Sequence, residues 1–420
     1  MLVRLKKGEL TIERKVKNRN RLILTFAVFA AFAVFGFTDG ARGPAIPRIQ
    51  AELGVTELQL GLLLAVSSAG YLSACYYTAA IAKKTGVKAC LVAALLLLTA
   101  SGALICFSSD FTRLVISFFV LNSAYGVLEI SLGVIAATLF TKRTGTMLNL
   151  AHFFYGAGAV VSPLVTTGLM AARFGSNVLG WRYAYLVIFS FALLPLIPTV
   201  IGRLGRQAPD EKKSGYLAFL KQKAGLMTIM IMAFGLTCEN GSSAWLVNYL
   251  EKACGYTGEQ AALRLTLFYV CFTLARLLLG PVTDKFGLIN SLAAAAAFSG
   301  AAIVAGVLCG RAGSVLLVLS GAGIALIFPT VMAVIAKLFL KEIDRAVTVV
   351  MTVTGTIMIP ASLLTGMIIQ RTREFFSHEG TSGVMKAYSA GYLFIGLCCL
   401  GAFVFALLLR REQKKLGRLV

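Results

Sequence analysis

Charge is what this sequence has least of. Asp, Glu, Lys and Arg make up 14% of its 420 residues, little more than half of what soluble domains carry. Histidine occurs twice, at His152 and His378, and no G-x4-G-K-[ST] phosphate loop is present. The nine cysteines form no C-x2-C pair matched by a second one. These absences remove the zinc-type metal cluster and the nucleotide loop, and no nucleophile–base pair stands out. A membrane-embedded enzyme is therefore disfavoured, and no cofactor is expected. Cysteines inside apolar runs read as small packing residues. No small-residue cleavage site follows the first apolar run, which exceeds a signal peptide's core of about 7–15 residues. That run is expected to stay as the first spanning helix.

Apolar sequence is what fills the chain. Hydrophobic residues make up 58%, with a mean hydropathy of +0.82. Most apolar stretches reach the roughly 20 residues needed to cross a hydrocarbon core of about 30 Å. Helices are expected at 22–49, 57–80, 88–108, 113–140, 146–172, 181–201, 224–250, 259–282, 288–309, 313–337, 346–370 and 386–409. This is an all-α membrane protein with twelve transmembrane helices and both termini on one side. The one long polar interruption, 202–223, divides the chain. A basic tail (1–21), a six-helix bundle (22–201), the linker (202–223), a second six-helix bundle (224–409) and a basic tail (410–420) follow.

The chain carries 40 Lys and Arg against 18 Asp and Glu. With both termini in the cytoplasm, 28 of those 40 fall on the inner side and ten on the outer, leaving Arg42 and Arg276 within helices. The asymmetry follows the positive-inside rule. The basic excess is thus a topology signal and a contact for anionic lipids, not a nucleic-acid footprint. A multi-pass protein of the cell membrane, monomeric, is expected.

The halves repeat at an offset of 201 residues. Asp39-Gly40 matches Asn240-Gly241, and Gly54-Val-Thr56-Glu-Leu-Gln59 matches Gly255-Tyr-Thr257-Gly-Glu-Gln260. Lys83-Lys84-Thr85-Gly86 matches Asp284-Lys285-Phe286-Gly287; later Gly158-x4-Pro163 matches Gly355-x4-Pro360 at a slightly shorter offset. Matches in Gly, Thr, Gln, Lys and Pro are not what general apolarity produces. Two pseudo-symmetric six-helix bundles form a transporter architecture, with the site near the bilayer midplane between them.

Gly280-Pro-Val-Thr-Asp284-Lys285-Phe-Gly287 resembles the loop signature G-x-x-x-D-[RK]-x-G of the major facilitator superfamily. The first-half copy departs from it, with Lys83 where the acid belongs and Ala79 where the first glycine belongs. Gly180-Trp-Arg-Tyr183 also resembles that superfamily. Ala124-Tyr-Gly-Val-Leu-Glu129 resembles the helix-4 acid motif of its fucose–galactose–glucose proton symporter branch, and Leu148-Asn-Leu-Ala-His152 the helix-5 run, where glutamine often stands at the place of His152. Asp39 sits where that branch has its helix-1 acid. Cys238-Glu239, Trp245 and Tyr249-Leu250 are similar to helix 7 of sodium–glucose carriers in the same branch. Gly133 replaces an asparagine common there. The resemblance implies the major facilitator fold, alternating access, and symport of a sugar with a proton, sodium being the other coupling ion. Gly158-x3-Ser162-Pro163 partly resembles the helix-5 signature of antiporters, which keeps proton-coupled efflux of drugs or lipids as the rival.

Ionised groups near mid-bilayer cost about 2.5–3.5 kcal/mol on insertion scales and persist where they pair, face a cavity or titrate. Asp39, Glu129 and Glu239 are the candidate proton-coupling acids. Asp39 either pairs with Arg42, three residues on, or caps a break at Asp39-Gly-Ala-Arg-Gly-Pro44. Glu129 has no basic residue within a helical turn, and Glu239 adjoins Asn240 and Ser243. Helical spacing aligns Asn122, Tyr125 and Glu129, and likewise His152 and Tyr155. With Asn240, Trp245 and Asn248 these side chains supply the donors, acceptors and flat apolar face that a small-molecule sugar needs. Arg42, Lys83, Lys84, Arg276, Asp284 and Lys285 are candidate gating residues. Arg276 is expected near the cytoplasmic end of helix 8, pairing with Asp284 or snorkelling.

Overall fold

The structure is a computed structural model describing residues 2–140, 144–204, 219–339 and 343–415. Most of the 202–223 linker and the end of the 410–420 tail lie outside the described residues, as does the side chain of Asp284. Among the described residues, twelve helices are long and apolar enough to cross a membrane. The first six are spans 1 (Asn18–Leu53), 2 (Glu57–Thr85), 3 (Val87–Cys106), 4 (Phe111–Leu139), 5 (Leu150–Ala171) and 6 (Gly180–Ile201). The second six are spans 7 (Lys223–Cys254), 8 (Gly258–Leu279), 9 (Leu288–Leu308), 10 (Gly310–Leu338), 11 (Arg345–Phe375) and 12 (Thr381–Lys415). The even number puts both chain ends at one end of the bundle, here the terminal end; the other is the far end.

The repeat is built into the local structure. Span 2 starts with a capping box in which Thr56 and Gln59 exchange side-chain and backbone hydrogen bonds, and the helix of span 8 starts with the same box from Thr257 and Gln260. Each box satisfies amide N–H groups that a helix start leaves unpaired. Each follows a left-handed residue, Gly54 at φ 62° and Gly255 at φ 64°, a conformation that glycine adopts without steric cost.

Small residues bring the helices together. A Cβ on Gly36 of span 1 would collide with the backbone of Tyr155 in span 5, and one on Gly158 with the backbone of Ala33. With no hydrophobic drive between helices in lipid, such close approach is what holds them. Spans 2 and 11, and spans 5 and 8, pack along the seam between the halves. The outer surface presents Phe26, Ile116, Ile197, Leu278 and Leu397, a face suited to acyl chains. Between spans 5 and 6 the turn forms a two-residue hairpin, Arg173–Phe174 with Asn177–Val178, that periodicity had not indicated. The Gly180-Trp-Arg-Tyr183 motif next to it has a structural role: the Trp181 Nε1 and Arg182 Nε both donate to Glu52, at 2.6 and 2.9 Å.

Candidate functional site

Span 1 breaks at the level of the cavity. Its first helix ends at Asp39 and a second begins at Arg42. Pro44 follows, lacking the N–H that would reach back to Gly40 and continue the ladder across the break. The break carries Asp39 and Arg42 into the space between the halves. There the Tyr155 hydroxyl donates to Asp39 at 2.9 Å, while Arg42 stands 3.8 Å from it.

That space is a cavity of about 220 Å³, lined from both halves. Asp39, Arg42, Asn122, Tyr125, Glu129, His152 and Tyr155 come from the first half; Glu239, Asn240, Trp245 and Arg276 come from the second. The stripe of Asn122, Tyr125 and Glu129 faces inward as a unit, as do His152 and Tyr155. Aromatic packing sets several of these rings: Phe35 lies 5.0 Å from Tyr125 and 5.1 Å from Tyr155, and Phe32 meets His152 edge-on at 5.2 Å. Asn122 and Asn240 each donate back to their own helix, to Phe118 and Leu236; their amide oxygens remain as acceptors. Glu129 accepts a 2.6 Å hydrogen bond from the hydroxyl of Tyr71 in span 2. Polar Ser67, Ser68 and Tyr71 in an apolar span were the signal for that partner. Among the described residues no group of three or more His, Cys, Asp and Glu could hold a metal ion.

A second cavity of about 410 Å³ shares His152, Arg276 and Phe328 with the first. It runs toward the terminal end, past Thr283 and Leu288, between walls that include Phe153, Phe272, Leu326 and Ala333.

Two expected placements change. Arg276 is not at the cytoplasmic end of its helix. That helix continues to Phe286, ten residues on, which sets Arg276 about 15 Å deeper. Its Nη2 is 3.6 Å from Glu239, its Nε donates to the Ala325 carbonyl at 3.1 Å, and its guanidinium stacks 4.3 Å over Phe272. Asn248 shares a stripe with Asn240 and Ala244, but the extra turn carries it past the cavity. It is fully buried and donates to Gln50 at 2.7 Å. Lys83, Lys84 and Lys285 are exposed near helix ends, away from the cavity.

The contact of Asn248 belongs to a seam at the far end that sequence reasoning missed. Arg48 of span 1 grips Glu251 of span 7 through two hydrogen bonds, at 2.8 and 3.0 Å. Glu57, first residue of span 2, receives Arg373 of span 11 at 2.5 Å and the Tyr388 hydroxyl of span 12 at 3.1 Å. A helix N-terminus favours the carboxylate there. Each pair joins one half to the other.

Among the described residues, twelve helices in two halves surround a central cavity that carries charged and polar groups from both. A model of the Major Facilitator Superfamily matches residues 28–257 and 225–419; the chain belongs to that superfamily. An uncharacterised MFS-type transporter of Yersinia pestis is 25% identical over 249 residues, 59% of this chain and 62% of that protein. A TsgA protein homologue of Buchnera aphidicola subsp. Baizongia pistaciae is 25% identical over 186 residues, 44% of this chain and 46% of that protein. The chain thus spans less than two thirds of the curated relatives it matches. Among solved structures, a bacterial homologue of the human lysosomal transporter Spinster, inward-facing and unoccupied, superposes with a TM-score of 0.77 at 13% identity, covering 94% of this chain and 98% of that one. FucP, the E. coli fucose:proton symporter, in the outward conformation, gives 0.62 at 20% identity, covering 93% and 99%. A D-xylose–proton symporter gives 0.74 at 13%, covering 92% and 97%. At these identities the likeness is one of fold.

Proposed function

We propose that this superfamily member is a secondary active transporter that carries a monosaccharide together with a proton by alternating access. The observation that carries the reading is the cavity itself, where three carboxylates, amide oxygens and an indole face one space from both halves. Glu129 is the coupling acid. Among the described residues its one hydrogen bond comes from a neutral hydroxyl, so its ionised form is costly in the middle of a bilayer and a proton relieves that cost. Asp39, already held by Tyr155 and near Arg42, and Glu239, near Arg276, are secondary acids. Asn122, Tyr125, Asn240, His152 and Tyr155 are assigned to solute hydroxyls and Trp245 to the flat face of a ring.

The termini are assigned to the cytoplasm of a cell-membrane protein, since 28 of 40 basic residues then lie inside. The far end is then the outer end, sealed by the Arg48–Glu251 and Glu57–Arg373 pairs. The second cavity offers the approach from inside. Lys83, Lys84, Asp284 and Lys285 are assigned to the gate at the inner end, where the loop signature resembles that of the superfamily. The apolar share of the walls of both cavities supports the other reading, proton-coupled efflux of drugs or lipids.

One experiment separates the two. Reconstituted protein is tested for uptake of a sugar panel with and without an imposed pH gradient. Gradient-dependent sugar accumulation is expected. Sugar movement that ignores the gradient would remove the proton, and no sugar movement at all would remove the sugar.

A further inference from the structure

We propose that the solute is an acidic monosaccharide of the uronate class, whose carboxylate is held by Arg276 with Arg42 in support. This inference rests on the sugar-symport reading and narrows it. A neutral sugar needs amides, hydroxyls and a flat ring; it does not need two guanidinium groups. Yet the cavity receives one from each half, Arg42 from span 1 and Arg276 from span 8.

Neither guanidinium is consumed by its neighbouring acid. The N···O distances are 3.8 Å for Arg42–Asp39 and 3.6 Å for Arg276–Glu239. Charge-assisted hydrogen bonds run at about 2.7–2.9 Å, and the same chain makes such bonds at its far end, with 2.8 Å for Arg48–Glu251. Arg276 is also oriented for a ligand. Phe272 supports the face of its guanidinium and the Ala325 carbonyl takes its Nε. That leaves the terminal N–H groups for a planar acceptor, the geometry that arginine offers to carboxylates and lysine does not.

The same charges couple the solute to a proton. With Asp39, Glu129 and Glu239 ionised and both arginines protonated, the cavity sums to −1. A uronate would make it −2 in a poorly solvated space, and a proton on Glu129 restores −1. Glu129 is faced by Tyr71 and Cys75 from span 2, Asp39 from span 1, Glu239 from span 7 and Arg276 from span 8. Arg276 is the one cation among them. Anion entry therefore draws a proton to the site without any separate coupling device.

The test uses full-length protein reconstituted in liposomes under a fixed proton gradient. Uptake of D-glucuronate and D-galacturonate is compared with D-glucose, D-galactose and the cationic D-glucosamine. At least a tenfold preference for each uronate over its parent sugar is expected, as one charged hydrogen-bonding group confers. Arg276→Gln should bring that ratio toward one, and Arg276→Lys should lie between. Glu239→Gln removes the acid that competes for Arg276 and should raise the ratio; this variant keeps the test open if Arg276→Gln misfolds. Proton-driven uptake of neutral or amino sugars at or above the uronates would overturn the acid-solute inference and leave sugar symport standing. An unchanged ratio in Arg276→Gln would overturn the anchor. Uptake of none of the five would overturn both readings.

Discussion

The ion pairs of the far-end seam and those of the central cavity use the same residue types in opposite ways. At the seam Arg48 meets Glu251 with two direct hydrogen bonds, and Arg373 meets Glu57 at 2.5 Å. In the cavity the N···O separations of Arg42 and Arg276 from Asp39 and Glu239 are 3.8 and 3.6 Å. Direct contact between halves holds one arrangement of the two bundles. Incomplete contact within each half leaves charge available to whatever enters. A carrier needs both kinds, since a seam must break and re-form while a site must prefer the ligand over its own neighbours.

The largest effect should come from Glu129, the cavity acid that has no cation in direct contact among the described residues. Glu129→Gln keeps the shape and the Tyr71 contact but fixes the group in a neutral form. Proton-driven accumulation is expected to vanish while exchange of solute across the membrane persists. Substrate-induced alkalinisation of a lightly buffered suspension reads the first, and counterflow reads the second. A full proton signal from Glu129→Gln would transfer the coupling role to Asp39 or Glu239. Asp39→Asn should act in the same direction less completely, because Tyr155 and Arg42 already share its charge.

Next in size is the buried end of the seam. The Glu57 side chain is 3% exposed and that of Arg373 is 50% exposed. Arg373→Gln leaves a nearly buried carboxylate with the Tyr388 hydroxyl alone. Loss of a hydrogen bond to a charged group costs about 1.5–3 kcal/mol, about tenfold or more in the balance between closed and open far ends. A cysteine placed at the cavity-lining Ala244 should then react at least severalfold faster with an impermeant maleimide added from the far side. Unchanged labelling would mean that the seam does not hold this state.

Arg48 and Glu251 offer a smaller and more specific test, because Arg48 is 40% exposed and solvent screens part of the attraction. Arg48→Glu and Glu251→Arg should each lower uptake a few-fold by putting like charges across the seam. The double reversal should recover most of it. If the double variant is no better than the worse single one, the pair is a bystander.

The sequence was legible where local periodicity reports the answer. Twelve apolar spans, the repeat of Thr56–Gln59 in Thr257–Gln260, and the inward stripe of Asn122, Tyr125 and Glu129 all follow from spacing along one helix. The break after Asp39 was readable from Gly40 and the prolines behind it. The depth of Arg276 was not, because the helix continues to Phe286 instead of ending near 282. The seam was hidden for a different reason. Its partners lie 203 residues apart in Arg48–Glu251 and 316 in Glu57–Arg373, so only the packing of the two bundles brings them together.

The smallest effect belongs to the neutral contact of the seam. Asn248 is fully buried and gives one amide N–H to Gln50. Asn248→Ala removes that bond, leaves a small gap, and deprives the Gln50 amide oxygen of its donor. A neutral buried hydrogen bond is worth about 0.5–1.5 kcal/mol net, so far-end closure should weaken by a few-fold, well below the effect of Arg373→Gln. The double variant Asn248→Ala with Gln50→Ala removes the stranded group as well and should regain part of the loss. Maleimide reaction at a cysteine in place of Ala244 orders the variants directly: wild type slowest, then the double, then Asn248→Ala, then Arg373→Gln. If instead solute affinity falls while far-side labelling stays constant, Asn248 acts on the cavity after all and the boundary between seam and site has to move outward by one helical turn.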